Sequence, residues 1–494
     1  MPLASTCRIL SLGRKLPPSL LRRLTMEDSA PVQDDTSDPS SGDAPVVLIA
    51  DDGDIVLDVT FETSKETLAA ARKTWQAATK KFGAPRIPQP NLSPSIKVAH
   101  RVKLAVLKKH SRYFANLLGN KQFAEASKVD ETLARLVSEK LKLAEVDSSD
   151  LPWISIVDDD EATRSIGREK VFEDLMRIMH GNQIQSTSVN MLHVTTLAIL
   201  ADRFDCRTVV SRYLSIDLKF KWPLTSAKPA RAGTVKKTLD VENVLRQKIL
   251  VAWLLEQPPR LHNYTRELIL RGSVRWSNLA VEEPSRTELW WNLPDDLERE
   301  LQYRRECVLN TIASIQRHFL GLYSSRERQC KLGYDSSSAC DSFQLGQILK
   351  FFTGKELMGI VDFGPSSLDN IPDASVIDIE EILATLKQVP SYQIDKHHTN
   401  CGIRTRLEPI LEYIRSMLSS TVLSISQVEW KDSRMSASWI PDDESSGRDR
   451  EEERFEFTRG LASDQRLRYE GNMYADKIAR KLFTADKWDW TPEY

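Results

Sequence analysis

Cysteine is scarce in this chain: six in 494 residues, with no two spaced Cys-x-x-Cys. That excludes a disulfide scaffold and fits a reducing compartment. Long apolar runs are missing too, since no uninterrupted stretch approaches the ~18–20 residues of a membrane span. Neither sign of charge dominates, with 68 Lys plus Arg against 70 Asp plus Glu. So even a balance argues against binding a phosphate backbone wholesale, which needs a basic excess or stripe. Familiar catalytic signatures are absent as well: no GxGxxG, no GxxxxGK(S/T), no HExxH, no GxSxG and no kinase set. What is present is a globular composition, 41% hydrophobic and 28% charged. At about 100–200 residues per domain, the length implies roughly two to four folded units.

The first 25 residues carry Arg8, Arg14, Lys15, Arg22 and Arg23 and no acid. That is the composition of a mitochondrial presequence, although Pro17 and Pro18 would break its helix. The plainer reading is a translation start at Met26, or a disordered tail, with the presequence as the lesser alternative. From Glu27 to Asp58 there are ten acids and no Lys or Arg. Residues 1–44 are expected to be a disordered tail with little to bury. The expected location is cytoplasm or nucleus, with the mitochondrial matrix as the alternative if residues 1–25 are a presequence.

Folded structure is expected from about Pro45. Val46–Ile49 and Ile55–Val59 flank an acidic turn and read as strands. Residues 97–118 run from a strand into a helical Ser-x-Tyr-Phe-x-x-Leu-Leu segment. Ile154–Val157 is another strand, followed by a helix carrying Val171, Phe172, Leu175, Ile178 and Met179 that stops at His180-Gly181. A further helix spans about 189–204. Charged stretches near 64–95 and 124–148 read as insertions with helical content.

In this order the chain resembles a BTB/POZ domain, of the divergent type common in filamentous fungi. Asp54, Val106, Leu107, Ser111, Tyr113, Phe114, Phe172, Leu175, Ile178, Gly181, Leu197, Leu200, Ala201, Asp202, Phe204 and Cys206 carry the resemblance. Lys103, His100 and Met179-His180 depart from it. The resemblance implies an α/β unit over 45–216, a short sheet capped by helices, that binds protein partners or forms a homodimer. It also implies an adaptor or scaffold role, serving a cullin-type ubiquitin ligase or a transcriptional complex.

A basic linker is expected at 217–237, then a mostly α-helical domain at 238–429, giving an α+β chain overall. Helices are expected at 242–256 (stopped by Pro258-Pro259), 261–271 (stopped by Gly272), 294–323, 378–389 and 405–418. Residues 430–494 read as a charged linker and a helical tail, with a helix at about 463–484. The Trp488-Asp489-Trp490 end is expected to dock on the chain itself rather than on a partner.

Metal-ligand chemistry concentrates in Cys330, Cys340, His398 and Cys401. Three thiolates and one imidazole are the donor types of a closed tetrahedral zinc site. The expectation is one structural zinc that pins a 330–345 loop to the start of the 405–418 helix, with His398 the better ligand than His397. Against it, no Cys-x-x-Cys knuckle is present, and buried reduced cysteines are the alternative. Two functions therefore compete: a non-catalytic interaction adaptor, and a metal-containing enzyme with its centre in the helical domain. Nucleic-acid binding comes third, and no membrane association is expected.

Overall fold

A computed structural model describes residues 46–79, 90–140, 145–225, 235–277, 287–330, 332–333, 335–357, 377–441, 453–468 and 473–491. The presequence-like residues, the acidic tail and most of the 441–453 charged linker lie outside them, as does 226–234 of the basic linker. The described chain is mixed α+β, with helices predominating over one four-stranded and one two-stranded sheet. It divides into two compact units: the chain up to Gln257 together with Ser285–Asp295, and Pro258–Pro284 together with Asp296–Tyr494.

In the first unit, strand β1 (Val46–Leu48) is followed by β2 (Ile55–Glu62) and helix α1 (Lys65–Thr79). Then come β3 (Ser95–Val102), α2 (Leu104–His110), α3 (Arg112–Gly119), α4 (Ala124–Ser138) and β4 (Trp153–Asp158). The sheet order is β1-β3-β2-β4, with β2 antiparallel to β3 and parallel to β4. Central β2 buries Ile55, Val56, Leu57, Val59 and Phe61, as a strand paired on both sides does. Helices α5 (Arg168–Met179), α6 (Met191–Arg203) and α7 (Arg207–Arg212) follow.

Polar side chains fix the joints. Asp54 Oδ1 accepts the Leu104 amide at 2.6 Å, capping α2 where Lys103 supplies no side-chain cap. Ser111 caps α3 by accepting from the Phe114 amide at 3.0 Å, and its hydroxyl donates to the Phe204 carbonyl at 2.5 Å. Phe204 stacks on Phe114 at 5.5 Å between centroids and meets Phe172 edge-on at 5.6 Å, while Phe172 meets Phe61 at 5.8 Å. His180 accepts the Lys103 amide on Nε2 at 3.0 Å, so its Nδ1 carries the proton and donates to the Met176 carbonyl at 2.7 Å.

Helix α8 (Val235–Leu254) packs on α6 and falls in this first compact unit, which runs to Gln257. The reason is tertiary: α8 buries Leu245, Ile249, Ala252 and Trp253. Residues 287–295 return to cover it. The indoles of Trp290 and Trp291 both donate to Asn243 Oδ1, at 2.8 and 3.0 Å, and the Arg246 guanidinium lies 4.9 Å over the Trp291 ring.

The second unit opens with α9 (Pro258–Arg271), so the proline pair expected as a stop also starts the next helix, where missing amide protons cost nothing. Gly272 ends it at φ +82°. Helix α10 (Leu297–Ser324) runs 28 residues and buries Leu297, Leu301, Val308, Ile312, Ile315 and Phe319, as its periodicity predicts. Helix α11 (Ser337–Gly354) corrects the expectation of a loop across 330–345. Its buried face includes Ser337 and Gln344 beside Cys340 and Ile348, which weakened the apolar period. Helices α12 (Ile379–Leu386), α13 (Arg404–Leu418), α14 (Gln427–Asp432) and α15 (Arg434–Ala437) follow.

Two consecutive arginines of α10 satisfy carbonyls left over where other segments end. Buried Arg304 donates to the carbonyls of Val422 (2.9 Å), Ser424 (2.5 Å) and Ala437 (2.7 Å) and pairs with Glu300 at 2.7 Å. Arg305 donates to the carbonyls of Ile269 (2.7 Å) and Leu270 (3.1 Å) at the end of α9.

At the C-terminal side, β5 (Arg454–Glu456) and α16 (Arg459–Ser463) precede a single 3-10 turn at Gln465–Arg468. Helix α17 (Met473–Phe483) and β6 (Lys487–Asp489) complete it, so the helix expected at 463–484 is shorter. Strands β5 and β6 pair in parallel. Trp490 is fully buried and donates to Ser314 Oγ at 2.8 Å, which docks this segment on α10 of its own unit.

Candidate metal centre

Three short segments of the second unit meet around Cys330, Cys340, His398 and Cys401. The turn after α10 brings Cys330, the first turns of α11 bring Ser336, Cys340 and Asp341, and the turn before α13 brings His398 and Cys401. Asp341 holds the first two together: its carboxylate accepts the Gln329 amide at 2.8 Å and the Cys330 amide at 2.9 Å. Arg406 on α13 donates to the Gln329 carbonyl at 3.3 Å, linking that turn to the third segment. Asp395 accepts the His397 and His398 amides at 2.8 and 3.2 Å, shaping the turn that presents the imidazole. Tyr323 donates to the Cys401 carbonyl at 3.1 Å. A Cβ on Gly402 would stand 3.1 Å from the Tyr392 carbonyl oxygen, so the close chain crossing beside Cys401 favours glycine.

The donor atoms are spaced as one cation would require. For metal bonds of about 2.3 Å to sulfur and about 2.0–2.1 Å to nitrogen, a tetrahedron sets S···S near ~3.8 Å and S···N near ~3.6 Å. Cys330 and Cys401 sulfurs are 3.7 Å apart, and His398 Nδ1 lies 3.4 Å from the first and 3.6 Å from the second. All four donor atoms, Cys340 included, fall within 4.8 Å of one another. This Cys3His set can hold a metal ion. Nδ1 is the nitrogen that faces the sulfurs. Nε2 points away, 3.1 Å from Ser336 Oγ and 3.8 Å from Asp395 Oδ2, the outer-shell arrangement that fixes a ligating imidazole.

Cys330, Cys340 and His398 are buried, and Cys401 is half-buried. Burial would push the Cys330 thiol up, but the polar groups around it, the Ser337 hydroxyl first, outweigh that and hold it below the ordinary thiol range. Burial pushes the Cys340 thiol up to about 12, with the neighbouring Cys401 and Cys330 sulfurs adding to the effect. Burial also raises the Cys401 thiol. Elsewhere, Cys206 and Cys307 are pushed up to about 12 by burial and are inert.

All four residues singled out by donor type come together, and His397 does not join them: it is exposed and lines a cleft of about 660 Å3. Cys401, Leu332, Arg406, Phe457 and Arg459 line the same cleft. Sequence reasoning did not single out Ser336, Asp341 and Asp395, common polar residues whose part is set only by the turns they occupy. No helix of the described residues is long and apolar enough to cross a membrane. Comparison with protein-family models, curated proteins and solved structures gives no match for this chain.

Proposed function

We propose that this protein is a non-catalytic adaptor or scaffold: a BTB/POZ-type first unit that self-associates or binds a protein partner, joined to a helical second unit fastened by structural zinc. The observation that carries the first half is the meeting of the resemblance residues in one core. Asp54 caps α2, Ser111 joins α3 to the end of α6, and Phe114, Phe172 and Phe204 pack together. The order also supports it: the antiparallel pair β2 and β3 with α1 between them, the helices α2, α3 and α4, the parallel strand β4 and then three helices.

For the second half, the donor set favours zinc, because three thiolates and an imidazole suit a borderline-soft tetrahedral ion. Four protein donors fill a tetrahedral shell, which favours a structural centre over a catalytic one. Elemental analysis of the purified full chain is expected to find one zinc per chain. Light scattering is expected to give about twice 56.2 kDa, or a pull-down with a cullin amino-terminal domain to retain the chain. A strictly monomeric protein that captures neither a cullin nor a transcriptional partner would overturn the adaptor reading. Zinc-free protein would overturn the metal reading alone.

A further inference from the structure

Of the four residues of the Cys3His set only Cys401 is not buried, and it lines the 660 Å3 cleft. A metal-bound cysteine is a thiolate at neutral pH, the form that attacks peroxides. Access therefore decides which of the three sulfurs reacts first. The resolving sulfur is also placed: Cys330 Sγ lies 3.7 Å from Cys401 Sγ on an irregular segment outside the helices, whereas Cys340 lies in the first turn of α11. Closing to a disulfide bond length of about 2.05 Å asks the Cys330 segment to move by less than about 2 Å.

We propose that Cys401 is a modification site for hydrogen peroxide, and that its oxidation expels the metal. The inference rests on the zinc reading above. The Cys401 thiolate attacks one peroxide oxygen; an S–O bond forms, the O–O bond breaks, and hydroxide leaves, giving the sulfenic acid. The Cys330 thiolate then attacks that sulfur; an S–S bond forms, the S–O bond breaks, and a second hydroxide leaves. The two sulfurs lose two electrons, the peroxide gains them, and both hydroxides take protons from solvent. Cys340 and His398 alone remain to hold the ion, and the 329–341 and 395–406 segments lose their common anchor.

The test uses the full chain with its zinc, titrated with hydrogen peroxide, with a zinc-responsive dye as one readout. Peptide mapping after alkylation of the remaining thiols is the other. The expected result is one zinc released per disulfide formed, the bond joining Cys330 to Cys401, with Cys7, Cys206, Cys307 and Cys340 alkylated once the protein is unfolded in denaturant. Cys401→His keeps four ligands and is expected to slow peroxide-driven zinc release by at least about tenfold. A disulfide to Cys340, zinc release that leaves Cys401 alkylatable, or release from the histidine variant at the wild-type rate would each overturn the inference. If the chain carries no zinc, the metal reading fails separately. Mapping of the Cys330–Cys401 bond in the metal-free protein then decides whether Cys401 is the oxidised site.

Discussion

His100 stands on β3 opposite Leu57, fully buried against Phe172 with neither ring nitrogen hydrogen-bonded. Burial first, then the Arg177 charge, lowers its pKa from 6.5 to about 4. The folded chain therefore holds this proton more weakly than the unfolded chain does. Its contribution is fully present above pH ~6.5 and is lost as pH falls through ~4, a swing of about 3 kcal/mol. His100→Leu is expected to flatten that slope and to raise stability of the first unit by about 1–2 kcal/mol, because it removes an unsatisfied buried polar group. Urea unfolding at pH 7 and pH 4.5 checks both; an unchanged slope would show that another group carries it. At the metal centre, Ser336→Ala removes the partner of His398 Nε2. It is expected to weaken zinc binding by about 10–100-fold in competition with a chromogenic chelator, while the fold persists.

Among the elements, α10 carries in Arg304 a side chain that holds several segments at once. Arg304→Met leaves the Glu300 carboxylate buried and strips the donor from the carbonyls of Val422, Ser424 and Ala437. A loss of about 3–5 kcal/mol from the second unit is expected in denaturant unfolding. Adding Glu300→Gln should cost less than the two single losses together, since the pair is coupled. The same helix shows what was legible beforehand. Its apolar residues recur at helical spacing and could be read directly, as could the strands around the acidic turn. Helix α11 could not, because Ser337 and Gln344 occupy its inward face. The four residues of the Cys3His set were legible because thiol and imidazole donors are rare and chemically distinctive. Asp341, Asp395 and Ser336 were not, since the same residue types fill ordinary turns throughout the chain.

For the whole molecule, the division after Gln257 depends on a return visit by 287–295, which lays Trp290 and Trp291 over α8. A fragment ending at Gln257 is expected to melt well below one ending at Asp295, since it lacks two buried indoles whose removal costs about 3–5 kcal/mol each in a core. Equal melting temperatures would mean that α8 needs no such cover. Composition could not show this: the basic stretch at 217–237 is the visible seam in the sequence, but packing, not charge, decides where a unit ends.

The chain passes from the first unit into α9 of the second, back through 287–295, and into the second again. Neither unit is written as one uninterrupted stretch. A contiguous domain can be duplicated, transferred or lost as a cassette by recombination at its two borders. Here a border placed after Gln257 deprives the first unit of its tryptophan cover, and one placed after Asp295 carries α9 away from the carbonyl staples of Arg305. Recombination that separates the two units is therefore expected to produce two damaged halves rather than two modules.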